Sequence, residues 1–200
     1  MHRIHRLPFE EALALIEAEV RRSLPIKGQV RVITIDGPAG AGKSTMASAL
    51  SQRLGDAPVV HMDDLYRGWA DALTSQLTTV LRDHILLPIS LGKQGGYRCW
   101  DWSKDAPGGA VVIPRHEFLI LVGVGASQRA VRPFASMMIW ISIDAKTGMQ
   151  RVIDRDSGNV ADPEGFLHHM QAWQGLEALH FERESTFDAS HMRFDGTYFT

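Results

Sequence analysis

The segment Gly37-Pro38-Ala39-Gly40-Ala41-Gly42-Lys43-Ser44 limits this chain's choice of fold more than any other. It satisfies G-x-x-x-x-G-K-[ST] in full, and it lies between a β-rich run, Val30-Arg31-Val32-Ile33-Thr34-Ile35, and a helical stretch over 43–54. The chemistry needs that context. Glycines let the backbone wrap closely and aim successive N–H groups at an anion, and the helix that follows adds its positive N-terminal end. Gly37, Ala39, Gly40, Ala41, Gly42, Lys43, Ser44 and Thr45 are therefore the expected phosphate-binding residues. Lys43 is expected to reach the β- and γ-phosphates of ATP, and the Ser44 hydroxyl to ligate Mg²⁺. A dinucleotide-binding turn would not end in Lys-Ser, and Gly123-Val124-Gly125 lacks the third glycine of a second candidate.

The rest of the chain alternates between strand and helix patterns. Apolar spacing predicts helices over 9–22, 71–87, 145–155 and 163–185, the second ended by Pro88. Apolar runs predict strands over 58–62, 118–124, 137–143 and 192–194, while 92–109, rich in glycine and aromatics, reads as an irregular loop or hairpin. Such alternation argues for an α/β fold with a parallel sheet covered on both faces. Ligands of these sheets bind beyond the carboxyl ends of the strands, so residues just after Ile35, Met62, Val124 and Ile143 are the candidates for chemistry.

Composition narrows the partners. The formal net charge of −2 provides no overall field for a nucleic acid polymer or an anionic membrane. No stretch approaches the roughly 20 apolar residues of a membrane helix, and the first 20 residues lack the apolar core of a signal peptide. Cys99 is the sole cysteine, so no internal disulfide forms, and a reduced, cytoplasmic setting is the expectation.

The second strand pattern ends in Asp63-Asp64-Leu65-Tyr66. One carboxylate there could accept a proton from an attacking hydroxyl and the other orient Mg²⁺ through water. A strand ending in Asp, then Asp, a hydrophobic residue and Tyr resembles the uridine kinase branch of P-loop kinases, in a divergent actinobacterial-type form. The segment Tyr97-Arg98-Cys99-Trp100-Asp101-Trp102 is similar to the aromatic-Asp-aromatic stretch that encloses the acceptor in that branch, and Arg151-Val152-Ile153-Asp154-Arg155-Asp156 to its arginine-bearing lid.

The resemblance implies a three-layer P-loop kinase fold with a central, mostly parallel five-stranded sheet, formed by residues 1–200 as a single domain. It further implies an acceptor-side insertion at about 88–116 and a lid at about 151–162. It assigns Lys43, Asp63, Arg151 and Arg155 to catalysis, Ser44 and Asp64 to the metal, and Asp63, Tyr66, Trp100 and Asp101 to the acceptor, a nucleoside or nucleotide.

One departure stands out. Members of this group often carry Glu near the end of the third strand, where this chain has Val122 in Leu121-Val122-Gly123-Val124-Gly125. A low-turnover ATP-binding regulator is therefore the competing expectation. A GTPase-type switch has less support, because Asp105-Ala106-Pro107-Gly108 follows no apolar strand and no Asn-Lys-x-Asp guanine reader is present. Blander roles remain open for several residues. Asp63 and Asp64 could cap a helix, Trp100 and Trp102 could simply pack, and Arg151 and Arg155 could form a solvated face. His61 is expected to pack, His168 and His169 to lie at the surface, and Trp173 and Phe181 to be core.

Overall fold

The computed structural model describes residues 3–69, 71–156 and 163–199. In chain order the main elements are α1 (Phe9–Arg22), β1 (Arg31–Asp36), α2 (Lys43–Arg53), β2 (Val59–His61), α3 (Ser75–Thr79), α4 (Leu87–Ser90), β3 (Gly96–Asp101), β4 (Ala106–Val112), β5 (Phe118–Val122), β6 (Ala135–Ser142), α5 (Ala145–Asp156), α6 (Pro163–Glu184), α7 (Thr186–Ala189) and β7 (Met192–Asp195). Five strands form one sheet in the order β2-β5-β1-β6-β7, with every neighbouring pair parallel. β3 and β4 form a separate antiparallel hairpin where the sequence pattern left a choice between loop and hairpin.

The three layers follow from the period of two along a strand. Val32, Leu119, Leu121 and Met138 point to one core, shared with Leu77, Leu81, Ile85 and Trp173. Their neighbours Ile33, Ile35, Ile120, Val122, Ile139 and Ile141 point to the other, shared with Ile16 and Val20 of α1 and Met46 and Leu50 of α2. Burial on both faces explains why β5 reads Phe-Leu-Ile-Leu-Val without a polar residue.

Two expectations shift. The helix expected over 71–87 starts only at Ser75, and it continues past Pro88 to Ser90. Between α3 and α4 the backbone widens into a π-helical stretch, Val80–Leu86. Proline lacks the N–H that a regular helix would bond, and the widened turns just before it absorb that mismatch. Of the stretch expected to be a lid, 151–156 is helical, and 157–162 lies outside the described residues. Among the described residues, no helix is long and apolar enough to cross a membrane.

Candidate active site

Sheet register assembles the site. Ile35 pairs with Val122, and Val122 with His61. The residues that follow, Asp36, Gly123 and Met62-Asp63, therefore leave the sheet side by side at its carboxyl edge. The glycine-rich loop turns there from β1 into α2. At Gly37 (φ 138°) a Cβ would lie 2.1 Å from the Ile141 carbonyl oxygen, so the loop has room only for glycine. At Gly40 (φ 76°) a Cβ would lie 2.2 Å from the Gly148 oxygen, and one on Gly148 would lie 2.6 Å from the Ala39 oxygen. The two glycines let α5 rest directly on the loop backbone and bring its arginines over it.

Asp36 secures the loop from beneath. It is fully buried, and its carboxylate accepts the N–H groups of Gly37 (2.8 Å), Gly125 (3.2 Å) and Ser127 (2.8 Å). Burial raises its pKa to about 6, against the pull of those N–H groups and of Lys43. The sequence reading missed Asp36. Its signal was an acid closing a β-rich strand immediately before the first loop glycine.

A cleft of ≈ 590 Å³ opens above the loop. Gly40 to Thr45, Asp63, Tyr66, Arg151 and Arg155 line it, together with His61, Trp69, Trp102 and Trp173. A larger cavity of ≈ 780 Å³ lies at the opposite, amino end of β1 and β5, between Val30, Arg115, His116 and Phe118, and includes no residue of the loop. The smaller cleft holds the chemically equipped side chains.

Lys43 is buried, and its Nζ donates to the Pro38 carbonyl at 2.7 Å. Desolvation pushes its pKa down, while Glu177, Asp36 and Asp63 pull it up. Asp63 is open to the cleft, yet the surrounding walls desolvate its carboxyl enough to raise its pKa, and Lys43 is the chief opposing charge. Arg155 adds its positive charge to both Lys43 and Asp63 and is paired with Asp156 at 2.6 Å. Arg151 is tied down instead, its Nη1 donating to the Gly196 carbonyl at 3.0 Å and reaching the Gly40 carbonyl at 3.5 Å. Ser44 and Thr45 are exposed to the cleft.

The acceptor-side residues divide. Tyr66 lines the cleft, buried, and its hydroxyl donates to the Val124 carbonyl at 2.6 Å. Asp64 does not line it; the Tyr97 hydroxyl donates to its carboxylate at 3.3 Å. Trp100 and Asp101 also lie outside the cleft. Asp101 closes the hairpin turn, accepting from Ser103 and Lys104, with its pKa lowered to about 2 chiefly by Lys104. Trp102 takes their place: its indole N–H donates to the Asp63 carbonyl at 3.0 Å, and its ring meets Trp69 at 5.3 Å. Trp69 in turn contacts His169 (5.7 Å) and Trp173 (5.8 Å), so aromatic rings wall the space beside Asp63. Trp173, expected in the core, is buried and also forms part of that wall.

Among the described residues, no cluster of three or more His, Cys, Asp or Glu side chains could hold a metal alone. Mg²⁺ does not require one, because it keeps several waters and binds through one or two protein oxygens plus substrate phosphates. Ser44, exposed and lining the cleft beside the loop, carries a hydroxyl that fits that pattern.

Sheet order, loop and cleft together define a P-loop fold of the kinase type. The sequence model of the cytidylate kinase family matches residues 33–93. A possible uridine kinase from Bacillus stearothermophilus shares 19% identity and a TM-score of 0.68, over 93% of this chain and 98% of that one. A candidate fructose transport system kinase from Silicibacter sp. shares 18% identity and a TM-score of 0.56, over 92% of this chain and 98% of that one. No curated protein sequence matches the chain. The chain has the fold of these P-loop kinases.

Proposed function

We propose that the protein is an ATP- and Mg²⁺-dependent phosphotransferase that moves the γ-phosphoryl group of ATP to a small hydroxyl or phosphate acceptor, a nucleoside or nucleotide. The observation that carries this reading is the shared cleft, in which Lys43, Ser44, Asp63 and Arg155 face one space above the glycine-rich loop. ATP lies along residues 37–45 with Mg²⁺ on Ser44. Asp63 accepts or orients the acceptor proton, and its raised pKa brings it closer to that task than an exposed aspartate. Lys43, the metal and Arg155 offset charge on the transferring group. Arg151 holds the loop's shape through Gly40 and Gly196. The ring wall of Trp69, Trp102 and Trp173 favours an acceptor with a flat heteroaromatic base over a small polyol, because such rings gain by stacking. The β3–β4 hairpin contributes to the acceptor side through Trp102, and α5 begins the lid over the phosphates. Asp64, held by Tyr97, acts on the metal only through water, if that hydrogen bond opens.

The test is ADP release with ATP and Mg²⁺ across nucleosides, nucleoside monophosphates and polyols. Release that depends on one nucleoside or nucleotide, and disappears in Lys43→Ala and on chelation of Mg²⁺, supports the proposal. Release driven best by a polyol would refute the acceptor class. A second reading, a low-turnover ATP-binding regulator, draws on Val122, which is buried and apolar beside His61 where an acid is expected. Tight ATP binding with no acceptor-dependent release across the panel would favour it.

A further inference from the structure

One connected set of rings walls the cleft on the Asp63 side. Tyr66 meets Trp173 at 5.4 Å, Trp173 meets Trp69 at 5.8 Å, and Trp69 meets Trp102 at 5.3 Å between ring centroids. Val124 and Met170 line the same cleft, both buried. Two polar tips of this wall are already used within the chain. The Tyr66 hydroxyl donates to the Val124 carbonyl at 2.6 Å, and the Trp102 indole N–H to the Asp63 carbonyl at 3.0 Å.

Among the described residues that line the cleft, the acids and bases are Lys43, His61, Asp63, Arg151, Arg155 and Asp156. Lys43 and the two arginines are engaged elsewhere: Lys43 on the Pro38 carbonyl at 2.7 Å, Arg151 on the Gly196 carbonyl at 3.0 Å and Arg155 on Asp156 at 2.6 Å. His61 and Asp63, at the end of β2 and just after it, are what remains for an acceptor, and Asp63 is committed to the reacting hydroxyl. Rings of this kind hold a flat partner by stacking, which is indifferent to what the partner carries at its edge. A site that reads a substrate hydroxyl needs a polar group matched to it, whereas an apolar pocket separates two ligands that differ by one hydroxyl only weakly. A phosphate carried by the acceptor would meet apolar rings and the Asp63 carboxylate, and losing its water there is costly.

We infer that the acceptor is a neutral primary alcohol held by its flat ring system alone, so that the 2′- and 3′-hydroxyls of a sugar go unread and an acceptor that bears its own phosphate is turned away. This inference rests on the phosphotransfer reading, takes the reaction from it and narrows its acceptor. In that reaction the alcohol oxygen bonds to the γ-phosphorus while the bond from that phosphorus to the β,γ-bridging oxygen breaks. The bond's electrons leave with ADP, and the hydroxyl proton passes to Asp63. Ribonucleosides and their deoxy forms are then equivalent acceptors, because nothing in the ring wall distinguishes them.

ADP release by the full chain with ATP and MgCl₂ tests this with uridine, cytidine, adenosine and guanosine, each beside its 2′-deoxy and 2′,3′-dideoxy forms and its 5′-monophosphate. For the preferred base, the three neutral forms should agree in kcat/KM within about tenfold, with the monophosphate well below all of them. Trp69→Ala should raise the KM of the neutral acceptor by about tenfold and leave the KM of ATP unchanged, and Trp69→Phe should restore most of the loss, because a ring supplies the contact. A ribonucleoside preferred over its 2′-deoxy form by more than about tenfold would overturn the inference. So would a monophosphate as the best acceptor, or a wild-type acceptor KM in W69A. Each of these leaves phosphotransfer standing. Absence of acceptor-dependent ADP release from every compound would remove the phosphotransfer reading itself, and this inference with it.

Discussion

Lys43 and Asp63 carry opposite charges in one cleft, and each moves the other's pKa toward its charged form. Their removal should have different kinetic signatures. Lys43→Ala takes away a phosphate contact, so it should weaken ATP binding and lower turnover by about 10²–10³-fold. Asp63→Asn keeps the shape but cannot accept a proton, so ATP binding should hold while kcat falls by about 10²–10⁴-fold. Steady-state ADP release together with direct ATP titration separates the two, and near wild-type turnover in D63N would end the assigned role. Asp36 supports a prediction about stability. An acid whose folded pKa lies above its unfolded value binds its proton more tightly in the folded state. Its stabilising share is therefore full below an unfolded value near 3.8 and is lost as pH rises through about 6. At about 1.4 kcal/mol per unit, that share is on the order of 3 kcal/mol. Urea unfolding of wild type and Asp36→Asn should show wild type losing ground to the variant by up to that amount between pH 4 and 7. His180, buried with its pKa lowered to about 4, has the opposite trend, but both chains share it and it cancels from the difference. A pH-independent difference would mean that the N–H groups, not burial, govern Asp36.

At the scale of elements, α5 and α6 hold most of what the sequence concealed. The helical pattern of α5 was plain, but its close seating on the loop depends on Gly148, which reads in sequence only as a weak spot in a helix. Gly148→Ala would place a Cβ 2.6 Å from the Ala39 carbonyl oxygen. Backbone must shift to admit it, so we expect a loss of about 1–3 kcal/mol in unfolding free energy and weaker ATP binding, because the loop and the α5 arginines move together. The arginines themselves should differ. Arg155→Ala should lower kcat with little change in ATP affinity, whereas Arg151→Ala should raise the ATP dissociation constant, since Arg151 braces Gly40 and Gly196. Equal effects of the two on affinity would contradict the division between bracing and charge compensation. In α6 the spacing of Phe166, Met170 and Trp173 was legible as an apolar face, but a stripe cannot tell a core from a cleft wall. The hairpin was ambiguous for a related reason: glycine and aromatic residues mark an irregular segment, and only β3–β4 pairing selects Trp102 over Trp100 as the ring beside Asp63.

Across the whole molecule, the features legible in the sequence are those encoded by local period and by a motif with its own mechanics. The alternation of strand and helix, the burial of β1, β5 and β6 on both faces, and the loop between β1 and α2 all fall in this class. What stayed hidden depends on register between distant segments. Ile35, His61 and Val122 lie in one row, and that row decides that Asp63 faces the cleft while Asp64 meets Tyr97. A ligand held by β1, α2, β2 and α5 at once should tie these parts together, and its binding free energy becomes folding free energy. At an ATP concentration 100 times its dissociation constant, with Mg²⁺, the gain is about 2.7 kcal/mol. For a chain of 200 residues, 1 kcal/mol moves the melting temperature by roughly 2–4 °C, so a rise of about 5–10 °C is expected. Lys43→Ala should abolish most of that rise, and Asp63→Asn should retain it if Asp63 serves the acceptor, as proposed, rather than the nucleotide. A wild-type melting curve unmoved by millimolar ATP and Mg²⁺ would remove the nucleotide from the cleft altogether, whatever the loop's sequence.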